Sequence, residues 1–416
     1  MAPASTTAAP APTAKALASI LAARLHAWPL DVGSLDARGV AVALSGGPDS
    51  LALAALLAQV HPQTIALIVD HGLRPESAAE AQHAAAQAQA LGLTTHILNW
   101  VGEKPATGIL AAARQARYDL LLGFCRTHNI NTLCLAHHAD DQAETAQLRA
   151  QRHSGWRGLA GMPYLTRRGP VSLVRPLLDC SKAQLIAVCD ELGLAYVTDP
   201  SNLNPKYSRA QLRLSGVAPY DPAPARARQQ EIGQLRALAG QLYTIDSVGG
   251  YAHLQPGWLT HELAAPLLRD LLVLIGQGAH PPAPAALTQA LSWLQSGRTG
   301  LTLAGCRLRQ HAQGQGGCLI AREPAAITPR LLPVGAHNIW WDQRWEIELR
   351  NVYEVELAPL GAGSWHHLPQ TDWLHELPGM ARAALPAVWR GGQVESVVKG
   401  KWQPNQQPWS QIFTID

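Results

Sequence analysis

Three sets of residues in this 416-residue chain have types and spacings that could do chemistry. The first is Ser45-Gly46-Gly47-Pro48-Asp49-Ser50, which follows the apolar run "VAVAL" and leads into a helical pattern. Two glycines there let backbone amides approach an anion, because no Cβ intervenes. Pro48 suits the first position of a helix, where no amide hydrogen is needed. The amides and positive dipole end of that helix then face whatever the loop holds, and Ser45 and Ser50 add hydroxyls. Phosphate is the ligand this chemistry suits, with a plain strand-to-helix turn as the competing reading. A Walker loop, G-x-x-x-x-G-K-[ST], occurs nowhere in the chain. Asp49 argues against the plain turn, since a carboxylate beside a phosphate needs a cation between them.

The second set is "LAHHADDQAET", residues 135–145. His137 and His138 leave a strand, and Asp140, Asp141 and Glu144 open a helix. Asp141 and Glu144 are three apart and share a helix face. Acids at a helix start also complement its dipole, which is the commoner reason to find them. Hard oxygen ligands near a phosphate loop suit Mg²⁺ better than zinc. The third set is basic. Arg114, Arg117 and Tyr118 lie three and four apart on one helix face. From Arg149 to Leu178 there are six arginines and no carboxylate, with Trp156 and Tyr164 interleaved. Lys206, Tyr207, Arg209 and Arg213 form a second acid-free stretch. Solvated faces often look like this, but two such runs with aromatics shift the balance toward RNA.

The elements that must position these residues alternate. Short Val/Ile/Leu-rich runs at 39–45, 64–70, 95–100 and 131–136 alternate with helical patterns at 48–60, 76–91, 108–128 and 140–152. This is the signature of βαβ units around a buried parallel sheet, so an α/β, doubly wound fold is expected for the first 200 residues. Ligands in such folds sit beyond the carboxyl ends of the strands, where all three sets fall. After Pro219 the pattern changes. A helical middle region and a small β-rich C-terminal region, with strands at "RWEIELRN" and "QVESVV", are expected. The expected domains are a disordered tail (1–14), a catalytic domain (15–220), a middle domain (221–328) and a C-terminal domain (329–416).

Composition excludes several classes. The chain is 47% hydrophobic and 15% charged, with net charge +3, so a globular protein is expected and charge alone names no partner. Six scattered cysteines without a C-x-x-C pair make a disulfide framework or a cysteine-rich metal site improbable. No apolar run reaches membrane-spanning length, and the Ala/Pro/Thr-rich start lacks the plan of a signal peptide. A cytoplasmic location is the expectation.

Read in order, SGGPDS, VDHGLRPES, AAARQARY, HHADDQAET, RHSGWRGLAGM, VRPLLDCSKAQL and TDPSNLNPKYSRAQLR resemble the bacterial tRNA(Ile)-lysidine synthetases, a family of PP-loop ATP pyrophosphatases. The resemblance is dense over residues 38–215. It departs from the family at His153, where Arg-Gly-Ser-Gly is usual, and at Ala210, where Arg-Asn-x-x-Arg is usual. It implies a ligase that joins free lysine to C2 of the wobble cytidine of tRNA(Ile) with a CAU anticodon, using ATP and Mg²⁺. Pyrophosphate and then AMP leave. It implies ATP binding by Ser45, Gly46, Gly47, Pro48, Asp49, Ser50, Val69, His71, Ala136 and His137, with Asp49 at the metal. Asp49, Arg114, Asp141 and Glu144 are the implied catalytic residues. Arg152, Arg157, Arg175, Lys206, Arg209 and Arg213 are expected on the tRNA, and a homodimer is one expectation for assembly. Two alternatives stay open, a sulfur-transferring PP-loop enzyme and a tRNA-binding module without activity.

Overall fold

The computed structural model describes residues 13–27, 39–197, 208–278, 280–310, 317–363, 365–368 and 372–403. The chain divides into two compact units, Met1–Thr166 with Pro170–Gln229, and Arg167–Gly169 with Gln230–Asp416. Most of the tail expected to be disordered lies outside the described residues, which begin just before a helix, α1 (Ala14–Ala27).

The first unit follows the alternation in the sequence to within about two residues at most boundaries. Its elements are β1 (Val40–Leu44), α2 (Pro48–Val60), β2 (Ile65–Asp70), α3 (Ser77–Ala90), β3 (Thr94–Asn99), α4 (Ile109–Thr127), β4 (Thr132–Cys134) and α5 (Ala139–Gln151). There follow α6 (Trp156–Leu159), the strands β5 (Leu165–Arg168) and β6 (Val171–Val174), α7 (Lys182–Glu191) and α8 (Ser208–Ser215), and α9 (Ala223–Ala237) carries residues of both units. Among the described residues the sheet order is β3-β2-β1-β4-β6-β5. β2, β1, β4 and β6 run parallel, as do β3 and β2.

Side chains alternate across each strand, so both faces need cover. Val40, Val42 and Leu44 with Ala66, Ile68, Cys134 and Val174 pack on one face against α1, α2, α3 and α7. Ala41, Leu67, Leu133, Val171 and Leu173 pack on the other against Leu121, Leu122 and Cys125 of α4. Each fully buried Leu or Val contributes about 1.5–3 kcal/mol. Two-sided burial is why these strands read as unbroken apolar runs. The consequence for function is geometric: β1 and β4 are neighbours, so the loops leaving their carboxyl ends, 45–47 and 135–138, open side by side.

The second unit has more sheet than its sequence pattern suggested. β7 (Tyr243–Asp246) and β8 (Tyr251–Leu254) join β9 (Gly300–Leu303), β10 (Cys306–Gln310) and β11 (Cys318–Arg322) in the order β7-β8-β11-β10-β9. Their pairings are antiparallel. α10 (Ala264–Gly276) and α11 (Pro284–Gln295) complete this part, with Leu267, Leu268, Leu271 and Ile275 fully buried. Smaller antiparallel sheets follow, including the hairpin of β12 (Gly335–Trp341) and β13 (Trp345–Asn351). One apolar core runs from Leu235 through to Trp402, so the boundary expected near residue 328 lies inside a continuous core.

Candidate active site

Tight turn chemistry builds the loop after β1. Gly46 has φ +81°, in the left-handed region that glycine tolerates without a Cβ penalty, and a Cβ there would lie 3.3 Å from that of Ala84. The Gly46 carbonyl accepts from the Val197 amide at 3.0 Å, which ties the loop to the segment after α7. The Ser45 amide donates to Ser50 Oγ at 3.1 Å, and that hydroxyl donates to the Gly47 carbonyl at 3.0 Å. Ser50 is buried and therefore braces the loop from within. α2 begins at Pro48 and no side chain caps it, so its amino-terminal end is left to a ligand.

Two more helices begin beside it. The Ala139 amide at the start of α5 donates to the Cys180 carbonyl at 2.8 Å, one residue before the Ser181 cap of α7. Ser181 and Gln184 form a reciprocal capping box at 2.8 and 3.3 Å. The amino-terminal ends of α5 and α7 are thereby joined, and α7 packs along α2.

Charged side chains converge at this junction. His138, only 3% exposed, places Nε2 3.6 Å from Oδ2 of Asp49 and 3.6 Å from Oδ2 of Asp141. Its own amide donates to Asp141 Oδ2 at 3.2 Å. Lys182, the first residue of α7, places Nζ 3.8 Å from the same Asp49 oxygen. Burial works to raise the Asp49 carboxyl, but hydrogen bonding to His138 and the charges of His138, Lys182 and Arg213 outweigh it, and the net shift is downward. Burial likewise works to lower His138, but Asp49 and Asp141 carry it above its ordinary value. The other Asp49 oxygen, Oδ1, is buried without a hydrogen-bond partner. An orphaned carboxylate oxygen beside an uncapped helix start fits a small hard cation shared with phosphate oxygens, which is how Mg²⁺ is commonly held. No cluster of three or more His, Cys, Asp or Glu fit for a metal occurs among the described residues.

The structure thus brings together Ser45, Gly46, Gly47, Pro48, Asp49 and Ser50 with Asp141. Ala136 and His137 occupy the connection that leads directly into His138. Glu144, one turn along α5, is 2% exposed and paired with Arg213 of α8, Nε to Oε1 at 2.5 Å and Nη2 to Oε2 at 3.3 Å. Val69 and His71 lie at the carboxyl end of β2, on the other side of β1. Burial first, and then the Arg117 guanidinium, hold His71 below its ordinary value. Arg114 and Arg117 flank the Tyr118 ring at 5.4 and 5.6 Å.

Of the residues expected on RNA, Arg152 is exposed on the turn after α5, and Arg157 stacks at 5.1 Å on Trp156, itself 45% exposed. Arg175 is buried and donates to the Pro163 carbonyl at 3.1 Å and Thr166 Oγ1 at 3.2 Å, which places it inside the fold. Lys206 lies outside the described residues, as does the side chain of Arg209. The segment carrying Trp156 is fastened to α5. Gln142 exchanges two bonds with Met162 at 2.6 and 2.8 Å, and Arg149 donates to Gly158 and Gly161 at 2.9 and 3.2 Å.

His138 and Lys182 were not singled out as site residues from the sequence. His138 had a signal in the His-His pair at the strand end, but Lys182 stands 133 positions from Asp49, and only the packing of α7 on α2 brings it there.

Residues 18–218 match the family model of the PP-loop domain. A tRNA(Ile)-lysidine synthase of Ruegeria pomeroyi is 37% identical over 378 residues, covering 86% of this chain and 87% of that one. The chain belongs to the tRNA(Ile)-lysidine synthase family. A relative of that name from Anaplasma marginale is 31% identical over 374 residues, 84% of this chain and 80% of its own. A Methylobacterium member reaches 48% identity over 194 residues, which is 46% of this chain and 56% of its own length. No helix among the described residues is long and apolar enough to cross a membrane.

Proposed function

We propose that this protein joins the ε-amine of free lysine to C2 of the wobble cytidine of a tRNA(Ile) with a CAU anticodon, consuming ATP. What supports the reading is the likeness, along most of the chain, to proteins named tRNA(Ile)-lysidine synthase, together with an uncapped loop-to-helix junction that has Asp49 at its centre. In the first step the cytosine O2 bonds to the α-phosphorus of ATP, and the α–β phosphoanhydride bond breaks with its electron pair on pyrophosphate. In the second the lysine amine bonds to C2, and AMP departs with the C2 oxygen.

The residues divide the work. The Gly46-Gly47 backbone and the start of α2 receive phosphate oxygens, with Ser45 Oγ at the rim. Asp49 would hold Mg²⁺, which when bound would supply Lewis acidity against the phosphate charge. His138 keeps Asp49 and Asp141 in register. The substrate ammonium, with a solution pKa near 10.4, must lose a proton before it attacks. Asp141 binds it, and Glu144 adds negative charge while held by Arg213. Arg114 contributes positive charge to the nucleotide. Arg152 and the Trp156–Arg157 stack meet the anticodon arm, where bases can be splayed out. A sulfur-transferring alternative would need a reactive cysteine. All six cysteines are buried, and burial pushes Cys125, Cys134, Cys306 and Cys318 up to about 12.

Incubation with tRNA(Ile), radiolabelled lysine and ATP is expected to place label in the tRNA with one AMP released per lysine. ATP consumption without label in the tRNA would overturn the reading.

A further inference from the structure

The nucleotide loop has no lysine of its own, yet a lysine reaches it from elsewhere. We propose that Lys182 is the cation that grips the departing pyrophosphate, in the role a loop lysine would otherwise fill. The proposal rests on the reading of 45–50 as the ATP loop and names the residue that completes it.

Three observations carry it. Lys182 is the first residue of α7, and the capping box at Ser181 and Gln184 fixes the helix end from which its side chain departs. Its ammonium lies 3.8 Å from Asp49 Oδ2, beyond hydrogen-bond length, and its side chain is 38% exposed. It is therefore near the loop without being committed to a partner there. Asp49 already has His138 at 3.6 Å, so Lys182 is not needed to neutralise it. An ion pair this loose and exposed contributes little to stability.

The start of α2 is uncapped, and the starts of α5 and α7 are bonded to each other through Ala139 and Cys180. The uncapped start of α2 and the Lys182 ammonium are the groups here that suit an anion, beside the carboxylates of Asp49 and Asp141, whose charge a bound cation would offset. As the α–β bond breaks, negative charge grows on the leaving pyrophosphate, and a lysine acts on it as a mobile point charge. A Walker loop places its lysine within the loop sequence, whereas this fold delivers one by packing α7 on α2.

The test is equilibrium binding to the full chain of inorganic pyrophosphate and, separately, AMP, each with Mg²⁺, by calorimetry. Lys182→Met is expected to weaken pyrophosphate binding about 10- to 100-fold, the range of a charge-assisted hydrogen bond, and to leave AMP binding unchanged. Lys182→Arg keeps the charge and is expected to retain most of the affinity. Lys182→Gln serves as a second neutral variant, so that the reading does not depend on one protein folding. Unchanged pyrophosphate affinity in the neutral variants overturns the proposal. Equal loss of pyrophosphate and AMP also overturns it, because Lys182 would then act on the loop as a whole. Neither measurement involves tRNA or lysine, so a failure here leaves the ligase reading to its own test.

Discussion

Asp49 in the first unit and Asp342 in the second are both carboxylates set between two cations, and the two arrangements differ in every distance. Asp342 accepts from Arg322 at 2.9 and 3.1 Å and from Arg344 Nε at 2.7 Å. Arg322 also donates to the carbonyls of Gly276, Gly305 and Ala326 at 2.6, 3.1 and 3.0 Å, and both arginines are buried. Asp49 has His138 and Lys182 at 3.6 and 3.8 Å and keeps a buried oxygen with no hydrogen-bond partner among the described residues. A tight ionic contact inside a core is a structural device, because removing one member strands the others. A loose one at the mouth of converging helix ends contributes little to stability, and its partnerless oxygen is satisfied only when a ligand completes it, so function is its explanation.

That contrast can be broken at several points. Asp49→Ala is expected to lower turnover by about 10³-fold or more, with tRNA affinity and the thermal midpoint nearly unchanged. Parallel loss of tRNA binding would return Asp49 to a folding role. Asp342→Ala should do the opposite. Denaturant unfolding is expected to show a loss of about 3–5 kcal/mol, and ATP binding by the folded fraction should persist.

The pH dependence sharpens the difference. Asp49 is held below its ordinary 3.8, so its contribution is present above that pH and is lost as pH falls through the lower folded value. His138 is held above its ordinary 6.5, so its contribution is full below that pH and is lost as pH rises through the higher folded value. The stability difference between wild type and His138→Gln should therefore be largest between about pH 4 and 6.5 and shrink at higher pH.

The basic residues divide in the same way. Arg152→Ala is expected to weaken tRNA binding several-fold and reduce the slope of its salt dependence by about 1, without loss of stability. Arg175→Ala should instead cost about 1–3 kcal/mol of stability by leaving the Pro163 carbonyl without its donor. The smallest effect concerns His153, which sits at φ +52° where the family pattern has glycine. His153→Gly is expected to raise stability by about 1 kcal/mol in thermal unfolding, with activity unaltered.

Much of this was legible in the sequence because the physics is local. A strand buried on both faces must be apolar throughout, and a helix starting after S-G-G-P leaves little choice of conformation, so β1, α2 and the loop between them follow from residues 40–60. Asp141 could be placed beside the loop because neighbouring parallel strands deliver their carboxyl ends together. His138 and Lys182 could not be ranked, since their role depends on how α5 and α7 dock. Arg175 read as one of a basic run, and nothing in its neighbours along the chain signals that it turns inward to the Pro163 carbonyl. In the second unit, the β7–β8 hairpin around "SVGG" was missed because "YTID" and "YAHL" are too short and mixed to display a period. Asp342, in a hairpin turn, takes its meaning from Arg322, twenty positions earlier at the end of β11.

The most direct test of the central claim is mass analysis of the wobble nucleoside after reaction with tRNA(Ile) bearing CAU, lysine and ATP. The expected product is cytidine that has gained lysine with loss of water, formed by wild type and absent with Asp49→Ala. Unmodified or thiolated nucleoside from active wild-type protein would contradict it.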